Sequence, residues 1–152
     1  MAKKQTRAQK FNDLFNAFHQ INAGEKVKRI GRKDGSIGTK PVVPCPYLPE
    51  SDVLQMCLIW LRNHRVFCSR NNVGAGTMGT SGFYSYGIKN GGDIIGLLPT
   101  GQHFEIECKA GDGSTLSAGQ QKRMRNIRDN RGLYFVVHGV PELEFYFERY
   151  VR

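Results

Sequence analysis

The sequence predicts an α/β fold: a central mixed sheet flanked by helices, with a basic N-terminal extension. Three observations predict it. From residue 50 onward, amphipathic helical stripes alternate with short strand-like runs, in the order helix, strand, glycine-rich loop, two strands, helix, strand, helix. Leu133–His138 (LYFVVH) is apolar almost throughout, as a buried strand of such a sheet would be. Charge is unevenly spread: residues 1–40 hold ten Lys/Arg against Asp13, Glu25 and Asp34, a net of +7, while the remaining 112 residues carry +2.

A chain of 152 residues is one domain with room for an appendage. Its 39% hydrophobic content supports a modest core, and 18 glycines point to long loops. A net charge of +9 and a pI near 9.6 favour a polyanionic partner. Cys45, Cys57, Cys68 and Cys108 show no C-x-x-C spacing and sit in or beside apolar segments. They are expected as buried reduced thiols rather than zinc ligands or disulfides. MAKKQTRAQK lacks a following apolar segment, and no apolar run nears the ~20 residues that span a bilayer. The expectation is a soluble, intracellular protein with no membrane contact and no organic cofactor.

In chain order, Phe11, Leu14, Phe15, Phe18 and Ile21 form a helical stripe capped by Thr6 and ended by Ala23-Gly24. That helix either docks on the main core or binds a partner. Lys26–Arg32 and Ser36–Val42 read as two strands about a Lys33-Asp34-Gly35-Ser36 turn. Such a ribbon would lay Lys26, Lys28, Arg29, Arg32 and Lys33 along phosphates. Pro41, Pro44, Pro46 and Pro49 read as a rigid linker, which places a boundary between an extension, 1–48, and a main domain, 49–152. A helix over Glu50–His64 has Ser51 as its expected cap and Val53, Met56, Cys57, Trp60 and Leu61 as its expected buried face. Val66–Asn71 follows as a strand carrying Arg70. From Asn72 to Gly92 a glycine-rich loop interleaves Phe83, Tyr84, Tyr86 and Lys89. It either closes on nucleic acid or covers a sheet edge. After a Gly111–Ser114 loop, Ser117 opens a helix with Met124 and Ile127 inward and Lys122 and Arg123 among its basic residues. Pro141 opens a last helix, Glu142–Val151, with Leu143, Phe147 and Tyr150 on one side.

The chemistry concentrates in Gly91–Gln120, GGDIIGLLPTGQHFEIECKAGDGSTLSAGQ. Ile94–Leu98 and His103–Lys109 read as antiparallel strands joined at Pro99-Thr100-Gly101. Alternation puts Phe104, Ile106 and Cys108 on one face and Glu105, Glu107 and Lys109 on the other. Phosphodiester hydrolysis needs an activated water and neutralisation of growing phosphate charge, which hard divalent cations on carboxylate and carbonyl oxygens supply. Asp93, Glu107 and the carbonyl of Cys108 suit one such Mg²⁺ or Mn²⁺ site. Lys109 can hold water and offset phosphate charge. Gln120 lies at a helix start that favours anions. Each residue also has a plainer reading: a surface Glu–Lys pair, a Ser117/Gln120 capping box, a turn aspartate. Glu105 is expected either as a solvated neighbour or as a group that supports the site residues from behind, and His103 as the exposed end of that face.

The ordered pattern GGDIIGLL…HFEIECKAG…LSAGQQKRM…RGLYFVVHGVPEL resembles the PD-(D/E)XK nuclease superfamily, specifically its VRR-NUC (virus-type replication-repair nuclease) branch, from about Pro49 to the C-terminus. The resemblance implies a restriction-endonuclease-like core and a catalytic set of Asp93, Glu107, Lys109 and Gln120. It also implies an acidic residue on the preceding helix, for which Glu50 is the nearest match, Asp52 the alternative, and Gln55 the accompanying glutamine. Asn71-Asn72-Val73-Gly74 resembles the segment after the first strand. The implied activity is Mg²⁺- or Mn²⁺-dependent endonucleolytic cleavage of branched DNA, a Holliday junction or flap, in viral replication, recombination or repair. The implied assembly is a homodimer, and a viral origin would place it in the host cytoplasm. Lys26, Lys28, Arg29, Arg32, Lys33, Arg70, Tyr84, Tyr86, Lys89, Lys122 and Arg123 are the expected DNA contacts. Two other readings stay open: a non-catalytic DNA-binding or packaging protein, and a nuclease acting on RNA.

Overall fold

The computed structural model describes residues 6–25 and 34–151. The expected ribbon residues Lys26, Lys28, Arg29, Arg32 and Lys33 lie outside the described residues. The chain forms two compact units, divided between Arg32 and Lys33.

The first unit contains helix α1 (Arg7–Asn22), opened by a reciprocal capping box between Thr6 and Gln9. No residue of α1 is buried, and its stripe of Phe11, Leu14, Phe15, Phe18 and Ile21 is exposed.

The second unit is a mixed α/β fold. Its elements are β1 (Ile37–Thr39), α2 (Glu50–Asn63), β2 (Phe67–Arg70), β3 (Gly74–Met78), β4 (Gly82–Tyr86), β5 (Ile94–Leu97), β6 (His103–Cys108), β7 (Ser114–Leu116), α3 (Ala118–Asp129), β8 (Leu133–Val137) and α4 (Val140–Phe147). The central sheet has the order β2-β5-β6-β8. β2, β5 and β6 run antiparallel to their neighbours, and β8 joins β6 in parallel, so the sheet is mixed. Among the described residues no helix is long and apolar enough to cross a membrane.

One sheet face is apolar. Ile94, Phe104, Ile106, Cys108 and Val137 pack there against Val53, Leu54, Cys57, Leu58 and Leu61 of α2 and Leu143 and Phe147 of α4. Phe104 and Phe147 meet edge to face at 5.1 Å. The Phe104 ring lies over Gly96, its cross-strand partner, where an added Cβ would stand 2.4 Å from the ring. All four cysteines are free, with Cys57 and Cys108 buried and Cys45 and Cys68 half-buried.

Several elements differ from the sequence reading. The N-cap of α2 is Pro49 rather than Ser51, and its buried face includes Leu54 and Leu58 in place of Met56 and Trp60. ESDVLQMCLIWLRN is apolar around much of its circumference, so periodicity alone left its rotation open. The helix α4 starts earlier and ends earlier than expected. Residues 72–92 contain an antiparallel hairpin, β3–β4, instead of an unstructured loop. β1 pairs with β7, a strand in the segment expected as a loop.

The second unit begins upstream of the boundary expected at Pro49, because the proline-rich segment is fastened to it. Val42 donates to Glu142 Oε1 at 3.1 Å, and Gly111 donates to the Leu48 carbonyl at 2.9 Å. Buried His138 bridges Glu142 (Nδ1 to Oε2, 2.7 Å) and Thr39 (Nε2 to Oγ1, 3.0 Å), tying β1 to α4.

Because the Phe104 ring and the Phe67 carbonyl both occupy the space beside Gly96, Gly96→Ala should cost about 1–3 kcal/mol. Urea denaturation should show a lower midpoint with an unchanged slope; an unchanged midpoint would mean that the ring and the β2 backbone both move aside at no cost.

Candidate active site

The other sheet face carries the charge. β6 presents Glu105 and Glu107 there, the chain beyond it adds Lys109, and all three are buried. β8 brings buried Tyr134 opposite Glu105, and α3 lies over this face with Gln120 and Arg123 reaching down to it. Charged side chains on a covered strand face need partners, and each has them.

Glu105 has no exposure. It accepts from the Gly92 amide at 2.9 Å, from His103 Nε2 at 3.0 Å and from the Arg123 guanidinium through Nε at 3.2 Å and Nη2 at 2.5 Å. Burial pushes its carboxyl up, but the Arg123, Gly92 and His103 hydrogen bonds outweigh burial and hold it below the ordinary range. Of the two readings of Glu105, the solvated neighbour is excluded: it is a buried group that holds Gly92, next to Asp93, and Arg123 of α3. Arg123, expected on DNA, is instead committed to Glu105.

Glu107 is the centre of the second cluster. Its Oε1 accepts from Lys109 Nζ at 2.7 Å and from Gln120 Nε2 at 2.5 Å. Its Oε2 is buried and has no hydrogen-bond partner among the described residues. Asp93, at the entry to β5, accepts from the Cys108 amide through Oδ2 at 2.8 Å, which fixes it beside the Glu107–Lys109 segment. Burial, then the charge of Asp93, push Glu107 up to about 7 against the pull of Lys109, and Glu50 adds a smaller upward push. Burial also pushes the Asp93 carboxyl up, opposed by the Cys108 amide and the Lys109 charge. Gln120 makes the capping box expected as its plainer reading, its Oε1 accepting from Ser117 N at 2.9 Å, and its amide in addition holds Glu107.

Asp93, Glu107, Cys108, Lys109 and Gln120 are thus brought together. Glu50 is exposed at the start of α2 and close enough for its charge to act on Glu107; Asp52 and Gln55 are exposed on the same helix. A cleft of about 540 Å³ opens beside Asp93, lined by Arg70, Asn71, Asn72, Val73, Tyr86 and Gly91. Tyr84 is exposed on the same hairpin, and Lys89 and Lys122 are exposed beyond it.

Tyr134 was not legible as a site residue within an apolar run. Its hydroxyl is buried with no hydrogen-bond partner among the described residues, and burial together with the charges of Glu107, Glu105 and Asp93 holds it protonated.

Among the described residues no three His, Cys, Asp or Glu side chains gather into a protein-built metal cage. Mg²⁺ needs less, because it keeps several waters and binds through one or two carboxylates. Among the described residues Glu107 Oε2 has no partner, and the Asp93 charge pushes the Glu107 carboxyl up; a small cation would relieve both, so the residues present fit one. Comparison of the chain with protein-family models, curated proteins and solved structures found no match.

Two predictions follow from these pairings. Glu107 titrates above its ordinary 4.5, so between there and about 7 the folded chain holds a proton that the unfolded chain has released. Stability of the metal-free protein should fall as pH rises across that window. Glu107→Gln should flatten this fall in urea denaturation, and Asp93→Asn should lower the Glu107 midpoint seen by carboxyl NMR; an unmoved midpoint would remove Asp93 as a cause. Separately, Arg123→Ala leaves the Glu105 charge buried and should cost about 3 kcal/mol by denaturation; a loss below about 1 kcal/mol would show that the pair behaves as a surface contact.

Proposed function

We propose that this chain is a Mg²⁺- or Mn²⁺-dependent, structure-selective endonuclease hydrolysing phosphodiester bonds of branched DNA. The proposal includes a PD-(D/E)XK core and membership of the VRR-NUC branch. One observation carries it: Glu107 is held by two donors on Oε1 and offers a bare, buried Oε2 beside Asp93. A structural Glu–Lys pair would use both oxygens or reach solvent.

In this reading Asp93, Glu107 Oε2 and the Cys108 carbonyl hold the cation, with Glu50 close enough to add an outer carboxylate. When bound, the metal supplies an ionised water and neutralises phosphate charge. Lys109 Nζ, buried next to Glu107, offers a second positive charge to the phosphate and a donor to orient the attacking water. Gln120 Nε2 holds Glu107 through Oε1, which leaves Oε2 for the cation. Arg70 and the exposed Lys89 and Lys122 supply phosphate contacts around it. Cutting two paired strands of a four-way junction takes two such sites, so the proposal includes a homodimer.

The test is a cleavage panel of four-way junction, flap, single-stranded and blunt duplex DNA, with Mg²⁺, with Mn²⁺ and with chelator. The expected outcome is divalent-dependent cutting of branched substrates, reduced about 10²-fold or more in Lys109→Ala. Binding should be retained in that variant and should weaken steeply with salt. No product on any substrate, or full activity in Lys109→Ala, would refute the assignment; tight metal-free binding without product would favour a binding protein.

A further inference from the structure

The β3–β4 hairpin has no part in the chemistry above, yet its composition and placement are unusual. From Asn71 to Ile88 the chain carries no Lys, Arg, Asp or Glu, although the protein as a whole is strongly basic. Its aromatic residues, Phe83, Tyr84 and Tyr86, are all on β4. Tyr84 and Tyr86 are two residues apart, so they share one face. Their cross-strand partners are Gly76 and Gly74. A Cβ at Gly76 would stand 2.7–3.0 Å from the hydroxyl end of the Tyr84 ring, and one at Gly74 would stand 2.3–2.7 Å from the hydroxyl end of the Tyr86 ring. Both side chains therefore lie across the bare backbone of β3. Each still stays about half exposed, Tyr84 at 47% and Tyr86 at 55%.

The hairpin is also fixed relative to the catalytic strand. The Asn71 amide donates to the Asp93 carbonyl at 2.8 Å, and the Asn71 side chain both donates to the Ile88 carbonyl and accepts from the Ile88 amide, each at 3.0 Å. One side chain thus closes the base of the hairpin where it leaves and rejoins the sheet. Tyr86 then lines the same cleft as Arg70 and Asp93.

We infer that the Tyr84–Tyr86 face is a stacking platform for unpaired bases, and that it selects the strand entering the Asp93–Glu107 centre. This rests on the nucleolytic reading of that centre. The argument for the occupant is one of charge and geometry. A hairpin with no charged side chain adds nothing to the attraction for phosphates, which Arg70 and the basic surface supply. What it offers is two aromatic rings already held across β3, so little side-chain freedom is lost on contact. Bases in a duplex have their faces occupied by their neighbours, whereas unpaired bases present theirs. The platform therefore adds affinity only where a strand is unpaired, next to the residues that would cut it.

The test uses the full chain without divalent metal, with fluorescence anisotropy on a labelled single-stranded oligonucleotide and on a blunt duplex of the same sequence. Leucine keeps the apolar cover over Gly74 and Gly76 but has no π-face. Tyr84→Leu and Tyr86→Leu should each weaken single-strand binding about tenfold. Duplex affinity should stay within about twofold and the salt slope should not change. Tyr84→Phe and Tyr86→Phe should bind like wild type, and 2-aminopurine in the single strand should be quenched by wild type and not by the leucine variants. The inference is overturned if the leucine variants bind the single strand like wild type, or if both substrates and the salt slope fall together. It is also overturned if the substitutions change only self-association in light scattering, which would mark a protein contact. The two readings separate cleanly. Lys109-dependent cleavage with no effect of the tyrosines sinks the platform alone, while tyrosine-dependent strand preference without any cleavage sinks the nuclease and leaves the platform.

Discussion

The arrangement depends on one fully buried carboxylate, Glu105, and the ring of donors around it. Those donors come from three places in the chain: the Gly92 amide just before Asp93, the His103 imidazole at the start of β6, and the Arg123 guanidinium of α3. Desolvating a carboxylate is costly, and a two-nitrogen guanidinium grip with an amide and an imidazole is the kind of pairing that offsets it. The consequence is geometric. The turn that delivers Asp93, the strand that delivers Glu107 and the helix that delivers Gln120 are all drawn to the same point.

Two residues along the same strand face, Glu107 has the opposite surroundings. Glu105 is saturated with donors and held below the ordinary range, while Glu107 has donors on one oxygen only and a second carboxyl nearby that pushes it up. Environments that drive neighbouring carboxyls apart mark a division of roles. One carboxylate organises the scaffold, and the other remains short of positive charge. Tyr134, protonated beneath α3 and without a partner among the described residues, belongs to the same under-satisfied pocket.

Much of this was legible in the sequence, because it is local. The β5–β6 pair announces itself by alternation and a Pro-Thr-Gly turn, and the α3 start by its capping box. Asp93, Glu107, Lys109 and Gln120 fall within one stretch whose register fixes their faces. What was not legible depends on distant partners. Glu105 stays open between a solvated and a supporting residue until Arg123, in another element, is placed over it. β1 lies within the strand read over Ser36–Val42, but its partner β7 is three residues long and far along the chain, too short for periodicity to show. The hairpin hides because glycines argue against strands, and the tyrosines that compensate for them do so only once Gly74 faces Tyr86. On α2 the expected Val53, Cys57 and Leu61 are buried, while Leu54 and Leu58 take the places given to Met56 and Trp60, since apolar side chains surround much of that helix.

The central claim is that Asp93 and the free oxygen of Glu107 form a cation site. The most direct measurement is calorimetric titration of Mn²⁺ into the metal-free chain near pH 7, repeated in two buffers of different ionisation enthalpy. The account predicts one saturable site whose binding releases a proton, since Glu107 titrates near there, and whose loss follows either Asp93→Asn or Glu107→Gln while Lys122→Ala retains it. No saturable binding, or binding indifferent to both carboxyl substitutions, would contradict it.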